Sequence, residues 1–266
     1  MAGFLNRNPP FFSLQLTAAC FESTGRIITD RRLRTLGELD LCTASAVTMN
    51  DLGTSISKAF TFNAYDIPFA LVYFCSSGLG SSVPDAIRLE RLGRSISDSS
   101  RSSLSESIDE TTFIFTLQST VGIPEGHLLA PRVVEIQPWQ EMEDDNSLYA
   151  WPFKKMVTEQ TEINVKLSTE SLQGVRYQGW PDLPRSAVAV PILGARETNG
   201  KELMTGMLIM GLNPRRRFDD DYRSWIRICS RHIAAAMSVR KSATEAAQRT
   251  EDLAVLSRSR TAFFHR

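Results

Sequence analysis

Histidine and cysteine are scarce in this chain, at three and four among 266 residues. His127, His232 and His265 stand far apart, and Cys20, Cys42, Cys75 and Cys229 follow no metal-ligand spacing. The pattern therefore points to no metal centre, no Ser or Cys nucleophile paired with a His base, and no catalytic residues. Gly78-Leu-Gly80 is a lone turn with no helix pattern behind it, which excludes a Gly-rich phosphate loop. No apolar run approaches the roughly 20 residues that cross a bilayer, and the N-terminus lacks a basic region followed by an apolar core. Charge of one sign is missing too: 30 basic and 30 acidic side chains cancel, so nothing implies a nucleic-acid or membrane partner. Scattered thiols without a disulfide framework suit a reducing, cytoplasmic setting.

What the chain does have is a final fifth free of Gly and Pro. Phe218-Asp-Asp-Asp-Tyr222 supplies an N-cap and a negative first turn, and a helix pattern then runs to the end. Tyr222, Ile226, Cys229, Ile233 and Met237 recur at three- and four-residue steps, giving one broad apolar face. After Arg240 the apolar positions thin to Ala243, Ala246, Ala247, Leu253 and Leu256 among charges, which suits a two-stranded seam with solvent on both sides. Such a helix, roughly 65 to 70 Å long, outreaches one small domain.

Two stretches here resemble a known family. Leu256-Ser-Arg-Ser-Arg-Thr-Ala-Phe-Phe264 is similar to the approach to the phosphoacceptor helix of large hybrid sensor histidine kinases of fungi and bacteria. Gly206-Met-Leu-Ile-Met-Gly-Leu-Asn-Pro-Arg-Arg-Arg-Phe-Asp-Asp-Asp-Tyr222 resembles the last strand and final helix start of the GAF domain that precedes that helix. The resemblance implies a GAF domain truncated just before the phosphoacceptor motif, with His265 at a serine position of the family pattern. It also implies that residues 1–26 are a remnant of a PAS-like domain or disordered, that 27–47 form a linker helix, that 48–240 are the GAF domain, and that 241–266 lead towards a missing kinase core.

Taken in order, Phe11 to Cys20 alternates well enough for a strand, and the helical pattern from Ile27 to Ala46 sets Arg31, Arg32 and Arg34 against Leu33, Leu36 and Leu39. Thr48 with Asp51 forms a capping box for a second helix whose stripe is Leu52, Ile56 and Phe60. Pro68 to Cys75 is a nearly continuous apolar run, expected to be a central strand. Asp85–Leu92 and Thr111–Val121 follow as strands around a Ser-rich insertion over 94–110, a segment too poor in apolar surface to order and a candidate for phosphorylation. Beyond a loop holding His127, Trp151 to Val157 has a short helical pattern with an early Pro, and Thr161 to Leu167 is strand-like. Ser186 to Leu193 and Glu202 to Leu212 flank an Asn199-Gly200 hairpin signal.

This order predicts an α+β fold: an antiparallel, GAF-like sheet with the first and last helices on one face and a long C-terminal coiled-coil helix. The expected function is a non-catalytic sensory and relay module of a two-component phosphorelay kinase, forming a homodimer through its terminal helices. The sequence identifies no cofactor and no ligand. Any ligand is expected under the cross-over that roofs the cavity in GAF domains, near Phe74, Trp151, Trp180 and Val188. Core packing is the competing role for both tryptophans. Two alternatives stay open: a thiol-based GAF reductase using Cys75, and a dimerisation scaffold without a ligand.

Overall fold

The computed structural model describes residues 11–79, 111–137, 150–196 and 202–264. The Ser-rich insertion, the expected strand Asp85–Leu92, Asn199-Gly200 and His265 lie outside them. Helices α1 (Phe11–Ala44) and α2 (Met49–Thr61) come first, then strands β1 (Ala70–Leu79), β2 (Thr111–Val121) and β3 (Val133–Ile136). A short helix α3 (Phe153–Glu159), strands β4 (Ile163–Lys166), β5 (Ser186–Arg196) and β6 (Glu202–Gly211), and helix α4 (Asp220–Phe264) complete the chain. Every strand pairing is antiparallel, in the order β3-β2-β1-β6-β5-β4.

The alternation of each strand splits its side chains between two cores. Ala70, Val72 and Phe74 of β1, Val188, Val190 and Ile192 of β5, and Leu208 and Met210 of β6 face α1, α2 and α4. Leu71 and Tyr73, Ala187 and Ala189, and Met207 and Ile209 face the other way, against Leu129, Trp151, Phe153 and Met156 of the cross-over. The first and last helices thus share one face of the sheet, as the α+β reading expects.

Local chemistry explains the helix ends. Thr48 Oγ1 accepts from Asp51 N at 3.1 Å and Asp51 Oδ2 accepts from Thr48 N at 2.9 Å, closing the capping box. Asp219 Oδ1 accepts from Tyr222 N at 2.8 Å at the start of α4. Tyr222, Ile226, Cys229, Ile233 and Met237 are all buried, as their spacing predicts.

Two expectations fail. Phe11–Cys20 is the beginning of α1 and not a strand. A strand there has no neighbour to bond, whereas a helix satisfies its own backbone groups, and Gly25 costs it only about 1 kcal/mol. On α1 the burial is also reversed at one point: Leu33 is 63% exposed while Arg32 is 7% exposed. The inward stripe is Arg32, Thr35, Leu39 and Thr43, spaced by three and four residues but largely polar. Among the described residues no helix is long and apolar enough to cross a membrane.

Candidate functional site

The structure does not bring Phe74, Trp151, Trp180 and Val188 together. Phe74 and Val188 sit in the helix-side core, because they share strand parity with Val72 and Val190. Trp151 lies in the opposite core, where its Nε1 donates to Leu129 O at 2.6 Å. Tyr73 and Phe115 both pack on Phe153 beside it, with ring centroids 5.2 Å apart in each pair. Side chains of the protein itself, Trp151, Phe153 and Met156 among them, pack under the described part of the cross-over. His127 is a loop fastener: Leu129 N donates to its Nδ1 at 3.1 Å, which leaves Nε2 to donate to Gln173 O at 2.8 Å.

Trp180 has a different neighbourhood, at the root of α1 and α4. It packs on Tyr65 at 4.9 Å between centroids, and the Arg215 guanidinium lies over its ring at 4.2 Å. Around it is a buried polar network that joins the α2–β1 corner, the turn after β6 and the start of α4. Tyr222 OH donates to Asp66 O and accepts from Asn213 N at 3.2 Å, while Asn213 Nδ2 donates to Asp66 Oδ1 at 3.1 Å. Arg31 Nη2 is 3.6 Å from the same carboxylate oxygen. Arg32 lies over the rings of Tyr222 and Trp225, at 4.5 and 5.3 Å. Burial, and then the Arg216 charge, push the Arg32 guanidinium below its ordinary value.

A second set of contacts ties α1 to α4 along their length. Trp225 Nε1 donates to Arg32 O at 3.2 Å, and His232 Nδ1 lies 2.6 Å from Asp40 Oδ1. Arg240 Nη2 donates to Thr43 O and Ala44 O at 3.2 and 2.8 Å, covering the last carbonyls of α1. Between the helices runs a groove of about 500 Å³, lined by Thr43, Ala44, Ile228, Ala235 and Val239. The apolar side chains of Leu33, Leu41 and Val239 are exposed along the same pair.

Two of the thiols, Cys75 and Cys229, are poorly suited to nucleophilic work. Burial pushes Cys75 up to about 12 and raises Cys229 as well, so neither holds much thiolate near neutrality.

Sequence reasoning missed Arg32, Asp66 and Asn213. The one available signal was a helix stripe in which polar residues keep three- and four-residue spacing with Leu39. A stripe scored on apolar residues alone passes over it.

No family model and no curated protein matches the chain. Among solved structures it is similar to the GAF domain from Acinetobacter phosphoenolpyruvate-protein phosphotransferase, at 11% identity over 80% of this chain and 97% of that one, with a TM-score of 0.42. It is similar also to the GAF domain/HD domain protein from Geobacter sulfurreducens, at 15% identity over 73% and 95%, with a TM-score of 0.37. The GAF domain of a two-component sensor histidine kinase from Bacillus halodurans matches at 14% identity over 72% and 94%, with a TM-score of 0.36.

Proposed function

We propose that this chain is a non-catalytic sensory and relay module of the GAF type from a two-component sensor kinase, dimerising through α1 and α4. The observation that carries the reading is where burial stops along α4. Among the residues whose burial is described, up to Ala254, Met237 is the last buried one, and every residue from Lys241 to Ala254 is exposed while the helix continues to Phe264. A helix that is solvated all round beyond its own domain bridges to something else or pairs with a copy of itself. Exposed Leu33 and Leu41 on α1, and Val239 in the α1–α4 groove, give a second copy apolar side chains to cover. In this reading a ligand or partner that favours one packing of α1 against α4 favours one orientation of the emerging helix pair.

Light scattering on the full chain and on a version ending at Arg240 tests the association. The full chain should run as a dimer at micromolar concentration. The shortened one should be monomeric at the same concentration and melt at nearly the same temperature, because its core is complete by Met237. A monomeric mass for both across that range would overturn the dimer and, with it, the relay through paired helices.

A further inference from the structure

We propose that the cavity between the middle of α1, the turn after β6 and the start of α4 is a binding site for a small organic acid, whose carboxylate or phosphate is held by Arg32, Arg31 and Trp180. The cavity measures about 880 Å³, and its wall includes Ile28, Leu36, Trp180, Trp225 and Ile228 beside the arginines. That volume falls within the range of small-molecule sites and far exceeds what a bare anion fills.

Four donor nitrogens on residues lining this space have no acceptor among the described residues: Arg31 Nε, Arg32 Nε, Arg32 Nη2 and Trp180 Nε1. Orphan donors shielded from water are uncommon in folded proteins and costly, so four around one cavity constitute a demand for acceptors. Arg32 is the principal donor: it is 7% exposed and makes no ion pair within 4.0 Å among the described residues. Its guanidinium carbon lies over the rings of Tyr222 and Trp225, which supply no acceptor, so Nε and Nη2 are buried without a partner and suit the two oxygens of a carboxylate or phosphate.

The carboxylates nearby are engaged in part. Asp66 Oδ1 takes Asn213 Nδ2 and Arg31 Nη2, while its Oδ2 lacks a donor and only partly offsets Arg32 from a distance. Asp219 pairs with Arg216 at 2.9 Å and caps α4, and Asp182 pairs with Arg215. Asp221 is exposed at the rim. Since the donors are shielded, the anion seats on a change of the Arg32 side-chain rotamer towards the cavity. The apolar body of the acid then lies along Ile28 and Leu36. This site lies at the root of α1 and α4, with Trp180 from the end of the cross-over in its wall, and its occupancy does not depend on the relay reading.

The test is direct titration of the full chain with benzoate and, separately, with inorganic phosphate, followed by tryptophan fluorescence and by the arginine Nε–H and Trp180 Nε1–H resonances. Benzoate should saturate at millimolar concentration or below, and phosphate should bind more weakly because it leaves the apolar wall uncovered. Arg32→Met should weaken benzoate about tenfold or more, the loss of one charge-assisted contact pair. Arg34→Met should change nothing, since Arg34 is exposed and paired with Asp30 at 3.7 Å. Should Arg32→Met not fold, Arg32→Lys keeps the charge and removes the planar fork, with the same tenfold expectation. Absence of saturable change with both probes, or equal affinity in wild type and the Arg32 variant, overturns the site. Phosphate binding more tightly than benzoate overturns the organic-acid class. The dimer measurement is separate, so failure of one reading is distinguishable from failure of the other.

Discussion

One phenol joins three parts of the chain that are far apart in sequence. Tyr222 begins α4, yet its hydroxyl meets the backbone of Asp66 at the α2–β1 corner and of Asn213 after β6. Removing it would leave a buried carbonyl and a buried N–H each without its partner. Tyr222→Phe should therefore lower the free energy of unfolding by about 1 to 3 kcal/mol in a urea titration, with a cooperative transition retained. At this scale the sequence is legible where chemistry and spacing agree. Tyr222, Ile226 and Cys229 announce a buried face because all three are apolar or nearly so. Arg32 does not, since a charged side chain is read as solvated unless its stacking partners, Tyr222 and Trp225 from the other end of the chain, are already known. The surroundings of Trp180 are not legible either: nothing local says that Gly179, at a φ of 87°, turns it towards Tyr65 and the root of the helices.

Among the elements, the central pair β1 and β6 carries the tightest backbone constraint. A Cβ placed on Gly206 would stand 2.3 Å from Tyr73 O, with Ile192 Cδ1 at 3.2 Å on the other side. Neither strand can retreat, because each is bonded on both edges and Phe74 stands directly opposite Gly206. Gly206→Ala should cost more than about 3 kcal/mol, seen as a large fall in the urea midpoint or as insoluble expression, even though alanine is the smallest possible change. The strands themselves were legible from their apolar runs and from turn signals. Strand β3 was not, since Val133–Ile136 is only four residues and sits behind Ala130-Pro131, where a loop is the natural reading. The start of α1 was misread for a related reason: ten alternating residues fit either period, and only the lack of a partner strand decides between them.

Taken whole, the molecule keeps acidic protons buried in both of its cores. Tyr73 and Cys75 lie on the cross-over side and Tyr222 and Cys229 on the helix side, and burial raises all four. A group raised in the folded state contributes its full stability below its unfolded value and loses it as pH climbs from there towards the folded value. Stability should accordingly hold near neutrality, begin to fall above the ordinary thiol value of 9.0, and fall faster above the phenol value of 10.0. Urea midpoints measured from pH 7 upwards would check this, and Cys229→Ala should flatten the first part of the decline. The sheet that separates these two cores also fixes where α4 points, and α4 is continuous from Asp220 to Phe264. An unbroken helix is a keyed shaft: each residue inserted or deleted along it swings everything downstream by about 100° and shifts it by about 1.5 Å. The compass bearing of whatever follows is therefore set by arithmetic on chain length. Seven residues come back to within about 20° of the original heading, and one residue never does.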